Sequence, residues 1–280
     1  MEWLTDNKLP IGPWAKSGVD WVTLNGRWFF DGLSTGLEAF IEALLWLLQL
    51  PHPLLMVVIV GALAWWVRRS VLFTLFTVFG ILLIINQGYW EETTETLALV
   101  LASTLVCMAM GVPLGIAAAR RPWLFAAMRP VLDLMQTIPT FVYLIPALIL
   151  FGLGMVPGLV ATVIFALPAS IRLTHLGISS TPKVLIEAGQ AFGATPSQVL
   201  WKVELPYAMP QIMAGLTQTI MLSLSMVVIA ALVGADGLGV PTLRALNQVN
   251  IARGFEVGLA IVLIAIILDR LFRAERKGAN

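Results

Sequence analysis

Apolar residues run through the chain in long stretches, broken by short charged or glycine- and proline-rich segments, a pattern that reads as helices crossing a lipid layer. A helix rising about 1.5 Å per residue needs roughly 20 apolar residues to cross a hydrocarbon layer of about 30 Å. On that measure seven spans are predicted, at 53–67, 71–89, 97–119, 131–152, 155–174, 210–233 and 255–273. Glu91, Glu92 and Glu95 separate the second from the third, and the stretch from Gly152 through Pro157 to Gly158 makes a tight turn between the fourth and fifth. Gly111, Pro113, Gly115, Pro139, Pro146 and Pro168 fall inside the spans. Membrane helices tolerate them because neighbouring helices re-satisfy freed backbone groups and small residues permit close packing.

The first fifty residues read differently. Leu37, Phe40, Ile41, Leu44 and Leu48 recur at helical spacing, with Glu38, Glu42 and Gln49 opposite, between a start at Ser34 and a stop at Pro51. An amphipathic helix over 33–50 that lies in the membrane interface is predicted. An eighth span is the competing reading, and Glu38 and Glu42 argue against it. Residues 1–50 are thus expected to form an extracytoplasmic tail ahead of a transmembrane domain at 51–280.

Basic residues set the orientation, because cytoplasmic loops are enriched in Lys and Arg. Arg68, Arg69, Arg120, Arg121, Arg129, Arg172, Lys183, Lys202, Arg270, Arg273, Arg276 and Lys277 fall on one side of the predicted layer. Only Lys8, Lys16, Arg27, Arg244 and Arg253 fall on the other. The expectation is an N-terminus outside and a C-terminus in the cytoplasm.

Composition agrees and excludes other classes. The 280 residues are 59% hydrophobic and only 12% charged, with a mean hydropathy of +0.89. Soluble domains carry about 25% charged residues. Seventeen basic residues against sixteen acidic ones give a net charge of +1, which leaves no field for gripping nucleic acid. His52, His175 and the lone Cys107 cannot build a metal cluster or an internal disulfide. The acidic start, from Met1 through Asp6, lacks the order of a signal peptide, so the spans are read as mature protein. No phosphate-binding loop of the G-x-x-x-x-G-K-[ST] type occurs, nor a G-x-S-x-G or H-E-x-x-H arrangement.

The stretch between spans five and six, residues 175–209, carries the densest local signals. Thr181-Pro182 reads as an N-cap followed by proline at the first helical position, and Gly193 as the left-handed residue that ends that helix. Thr195-Pro196 repeats the opening signal, and Leu205-Pro206 is expected to end the second short helix. Two capped helices hinged at a glycine make a compact knob at the membrane surface. It serves either as a simple connector or as a docking element.

Glu187-Ala188-Gly189, Gly193 and Val203-Glu204-Leu205-Pro206 resemble the E-A-A–x3–G–x9–I-x-L-P loop of ATP-binding-cassette importer permeases. Gly189 stands where that loop has alanine, and Val203 where it has isoleucine, with the spacing unchanged. The stretch from Gln136 through Pro139 and Tyr143 to Pro146, with Ile171-Arg172-Leu173-Thr174 and the run from Leu232 to Gly239, is similar to the glycine betaine/proline/choline members of that family. The likeness covers about 90–273. It implies an all-α polytopic fold, the helical bundle of a type I importer transmembrane domain. The coupling loop falls at 179–206, with Glu187, Ala188, Gly189, Gly193, Ala194, Leu205 and Pro206 seated against a cytoplasmic ATPase. It further implies an extracytoplasmic solute-binding protein, a second copy of the permease in a surrounding lipid membrane, and import of choline or glycine betaine. ATP and magnesium would belong to the ATPase, so the chain itself would be no enzyme and bind no cofactor.

Polar residues inside the spans are the remaining candidates. Gln136, Thr137, Thr140 and Tyr143 fall at roughly helical spacing on span four. They line a translocation path, Tyr143 offering its ring to a cation, or they make interhelical hydrogen bonds. Asp133 is expected to pair with Arg129 one turn away, Asp236 to serve a turn, His175 to sit at the interface and Cys107 to pack. A secondary transporter would need intramembrane charge or repeated halves, which the spans do not display. A permease for other small organic solutes, such as amino acids, is the alternative within the importer class.

Overall fold

The computed structural model describes residues 9–273, and among them every regular element is helical. The expectations that concern Met1 to Asp6, Lys8, Arg276 and Lys277 lie outside the described residues. Helix α1 (Ile11–Gln49) is followed by α2 (Pro53–Arg68), α3 (Val71–Asn86), α4 (Trp90–Arg120), α5 (Pro122–Thr137), α6 (Thr140–Phe151) and α7 (Met155–Ser179). Then come α8 (Lys183–Ala191), α9 (Pro196–Val233), α10 (Gly239–Asn247) and α11 (Ile251–Phe272).

Four helices, α4, α7, α9 and α11, are each long and apolar enough to cross a membrane, and up to six spans result if each of two bent pairs counts as one. The predicted spans at 97–119, 155–174, 210–233 and 255–273 lie in those four. The predicted span at 71–89 is the shorter α3, of 16 residues. The predicted 53–67 is α2, the short limb of a pair bent by 94° against α1. His52 caps α2, its Nδ1 accepting from the Leu54 amide at 3.4 Å, with Pro53 just inside the helix.

The predicted continuous span at 131–152 is broken: α5 and α6 meet at 97°. Proline explains the break. Pro139 has no amide proton and biases its predecessor away from helical geometry, and Ile138 is extended at φ −65° and ψ 132°.

Helix α1 starts at Ile11 and runs unbroken for 39 residues, well ahead of the expected start near Ser34. Its stripe of Leu37, Phe40, Ile41, Leu44 and Leu48 packs on Ala98, Leu99 and Ala102 of α4 and Leu159 of α7. Gln49 reinforces the contact by donating to Thr94 Oγ1 at 2.9 Å. The stripe therefore meets protein.

Helix α7 is the hub, buried along Leu159, Ala161, Thr162, Ala166, Ser170, Ile171, Thr174 and Gly177. It packs on α4 across Gly111 and Gly115, where an added Cβ would fall 1.9 Å from Ser170 Oγ and 2.6 Å from Thr174 Cβ respectively. Without side chains at those positions, the two backbones approach closely enough for Ser170 to donate to the Cys107 carbonyl at 3.0 Å. Ser103 of α4 and Ser223 of α9 bond at 3.1 Å. Cys107 is fully buried in this packing, as expected.

Candidate functional site

The surface knob forms from α8 and the first turns of α9. Its N-terminal cap differs from expectation. Pro182 occupies the cap position with ψ 131°, and α8 begins at Lys183 with no side-chain cap. The hydroxyl of Thr181 is buried and makes no hydrogen bond with the described residues, while its amide donates to the Ile178 carbonyl at 3.2 Å. Because Pro182 is extended, Thr181 still belongs to the end of α7.

The C-terminal end follows expectation. Gly193 is left-handed at φ 77°, and its amide donates to the Gln190 carbonyl at 2.9 Å while the Ala194 amide donates to Gly189 at 3.1 Å. This pair of crossing bonds terminates a helix on glycine because a Cβ there would meet the neighbouring carbonyl. Two residues later Thr195 and Gln198 form a reciprocal capping box: Thr195 N to Gln198 Oε1 at 2.8 Å and Gln198 N to Thr195 Oγ1 at 3.3 Å.

The second helix does not stop at Leu205-Pro206. Leu200–Glu204 widens into a π-turn in which the Leu205 amide reaches back to the Leu200 carbonyl. That turn accommodates Pro206, which lacks an amide, and the helix continues as one 38-residue rod into the membrane. The knob is therefore rigidly joined to a span.

The residues of the expected coupling loop divide between two faces. Glu187 and Ala188 point outward and are exposed; Gly189 faces α9, where an added Cβ would meet Val199 and Val203 at 3.6 and 3.7 Å. Ala194 is half-buried, Leu205 packs at the root of the knob near Ile178, Ala208 and Ile212, and Pro206 is exposed. No residue of α8 is buried. Val184, Leu185 and Phe192 leave an apolar patch in the open, Phe192 being 93% exposed.

One further contact braces the knob. Arg120, at the end of α4, donates to Glu204 Oε2 at 2.9 Å and to the Pro196 carbonyl at 3.1 Å. The sequence signal was two opposite charges at segment ends far apart in the chain, which only the topology brings together.

The polar residues of the broken span end up on two helices. Arg172 of α7 donates to Asp133 Oδ1 at 2.5 Å and to Gln136 Oε1 at 3.2 Å, so Asp133 pairs with Arg172 rather than Arg129. Thr137 is exposed at the end of α5, and Thr140 half-buried at the start of α6. Tyr143 is buried, and its hydroxyl donates to the carbonyls of Met135 at 2.5 Å and Leu134 at 3.3 Å. It fastens α6 against the end of α5, where Pro139 has no amide to offer the Met135 carbonyl. The single polar face expected on an unbroken helix is not formed, and Gln136 and Tyr143 engage protein partners. His175 stacks on Phe125 with ring centroids 3.7 Å apart.

At the opposite end of α4 from Arg120, Glu91, Glu92, Glu95 and Asp236 face Arg244 around a cavity of about 190 Å³. The Asp236 loop is a turn, as expected: Gly234 and Gly237 flank it at positive φ, and the Leu238 amide donates to Thr96 Oγ1 at 2.8 Å.

Residues 111–276 match the family described as the binding-protein-dependent transport system inner membrane component. The chain is 48% identical over 264 residues to the glycine betaine transport system permease protein of Bacillus subtilis, covering 94% of this chain and 93% of that one. It is 45% identical over 275 residues to the glycine betaine/carnitine transport permease protein of Listeria monocytogenes, covering 97% of each. With the glycine betaine/proline betaine permease protein of Escherichia coli it shares 46% identity over 266 residues, 95% of this chain and 75% of that one. Among solved structures, an inward-facing methionine ABC transporter superposes with a TM-score of 0.59 at 25% identity, over 66% of this chain and 94% of that chain.

Proposed function

The chain belongs to the family of binding-protein-dependent transport system inner membrane components, and from that membership we propose that it is the permease subunit of an ATP-driven importer for quaternary-ammonium solutes such as glycine betaine and choline. The observation that carries the solute class is the near-full-length identity to betaine permeases. The knob supports the mechanism. Its outer face, Glu187 and Ala188 with Val184, Leu185 and Phe192 alongside, is uncovered and suits the groove of a cytoplasmic ATPase.

Two ATPases holding ATP and magnesium close on each other and displace the knobs of two permease copies. The 38-residue α9 and the Arg120–Glu204 brace carry that displacement into the bundle. ATP acts through its different affinity for the open and closed ATPase pair, a difference the knob passes to the spans. The chain performs no hydrolysis itself. At the far end a binding protein delivers solute, and the carboxylates of Glu91, Glu92 and Asp236 offer basic residues of that protein a complementary surface. Uptake of labelled glycine betaine and choline by vesicles holding the whole transporter tests this reading. Uptake that requires the binding protein and ATP is expected. Transport of neither solute, beside efficient transport of an amino acid, overturns the solute class.

The orientation proposed is N-terminus outside and C-terminus cytoplasmic. The asymmetry of basic residues supports it. Alkaline phosphatase fused after residue 50 is expected to be active, and green fluorescent protein at the same place dark. The reverse pair of results refutes the orientation.

A further inference from the structure

Helix α9 carries a face unlike the other outward faces of the bundle. Gln211, Ala214, Gln218, Met221 and Ser225 are all exposed, and they recur in alternating steps of three and four residues that keep them on one side of the helix. By contrast, Leu75 and Phe79 on α3, Ile145 and Ile149 on α6, and Val262 and Ile266 on α11 are exposed and apolar. Lipid satisfies those faces. It does not satisfy the two primary amides set along this line, since hydrocarbon offers them no hydrogen bond, whereas the Ser225 hydroxyl donates back to the Met221 carbonyl at 3.0 Å. Beside this line, between Gln218 and Met221 of α9 and Asp269 and Arg273 at the end of α11, lies a cavity of about 400 Å³. A cavity with amide and charged walls of that size holds water.

We propose that the Gln211–Gln218–Ser225 face of α9 lines the water-filled path along which the solute crosses, a role that rests on the permease reading. Its chemistry fits a zwitterion with a permanent cation. Amide and hydroxyl oxygens and the Met221 thioether face the methylated ammonium, and amide N–H groups face the carboxylate. With no charge and no aromatic cage on this line, contacts stay weak enough for the solute to leave again, as conduction requires. The face also lies on the rod that bears the knob, so movement at the ATPase alters the path without an intermediary.

The test places single cysteines at Gln211, Gln218 and Ser225, with Leu75→Cys and Ile145→Cys as lipid-facing comparisons, in the complete transporter in membrane vesicles. The native Cys107 is buried and serves as the internal blank. A charged, membrane-impermeant methanethiosulfonate reagent is expected to modify the three α9 cysteines at rates at least about tenfold above the comparisons, with rates that change when ATP is added. Ser225→Cys is nearly isosteric and keeps the experiment informative if a glutamine variant is poorly assembled. Modification no faster than at Leu75→Cys overturns the inference. So does complete disulfide formation between two copies at all three positions without reagent access, which marks a packed seam. Thiol reactivity is scored whatever the solute, so reactive cysteines without betaine uptake refute the solute class and leave the path standing. Betaine uptake with inert cysteines refutes the path alone.

Discussion

Replacing Gly115 by leucine is expected to remove the assembled protein from the membrane almost completely. A Cβ at Gly115 would lie 2.6 Å from Thr174 Cβ and 2.8 Å from the Ile171 carbonyl oxygen, so the first added atom already collides with α7 backbone. A carbonyl cannot swing aside as a side chain does. Helices α4 and α7 must separate, and α7 is also the support for α6 and α9. Overpacking a close-packed core costs about 1–3 kcal/mol where side chains can yield. Here they cannot, and the loss is expected at or above the top of that range, against a total stability of about 5–15 kcal/mol. Gly111→Ala is the graded comparison. Its close contacts, 1.9 Å to Ser170 Oγ and 2.7 Å to Ser170 Cβ, are with a side chain, the nearest backbone atom being 3.4 Å away, so a small shift at Ser170, with loss of its bond to the Cys107 carbonyl, can relieve them. Mild-detergent extraction followed by size exclusion should give less than about a tenth of the native peak for Gly115→Leu, and a reduced but distinct peak for Gly111→Ala. A native, monodisperse peak for Gly115→Leu would show that the α4–α7 contact is not the close approach described.

Features set by neighbours in sequence were legible before the fold was known. The glycine end at Gly193 and the Thr195-Pro196 start depend on residues within one turn, and the apolar lengths of α4, α7, α9 and α11 on runs contiguous in the sequence. Proline was harder to read, because its effect is decided by what stands around it. Pro113, Pro146, Pro168 and Pro210 ride inside continuous helices, Pro206 is absorbed by the π-turn at Leu200–Glu204, and the chain folds back by 94° at the break holding Pro51 and by 97° at Pro139. That corner is held by Tyr143 reaching the Leu134 and Met135 carbonyls and by Arg172 reaching Asp133 and Gln136, contacts that no window along the chain contains. The candidate path shows the same limit. Hydropathy weighs a helix as a whole, so the few polar residues on one face of α9 vanish into its mean. Gln211, Gln218 and Ser225 stand seven residues apart in the sequence, a spacing that would have flagged them had each span been searched face by face.

Replacing Gly193 by leucine is expected to leave insertion and assembly near native while reducing solute uptake by about tenfold or more. The two effects separate because of where the residue sits. Beyond its immediate chain neighbours, a Cβ at Gly193 meets nothing within 4 Å in the chain, so no tertiary packing is disturbed. The cost inside the fold is the left-handed backbone at φ 77°, roughly 1–2 kcal/mol for a residue with a Cβ. The spans, held by lipid and by one another, do not depend on this turn. The added side chain instead projects beside Phe192 into the space assigned to the ATPase. A misfit at the centre of an interface removes about 2 kcal/mol or more, some thirtyfold in affinity. Gly193→Asn distinguishes strain from misfit, because asparagine tolerates the left-handed region yet still presents a side chain. If strain governs, Gly193→Asn recovers native uptake; if docking governs, it falls between glycine and leucine. Gly189→Ala is the control for the helix: its Cβ would rest 3.6 Å from Val199, an ordinary contact, and alanine favours the helix over glycine by roughly 0.5–1 kcal/mol. Native uptake is expected there. Glu187→Ala is expected to be mild, since a charge at a wet rim contributes little. Membrane abundance, ATPase capture and betaine uptake are to be read together for all four. Native uptake and native ATPase capture in Gly193→Leu would mean that the knob does not transmit the motion, and that the route from ATP to the spans runs elsewhere.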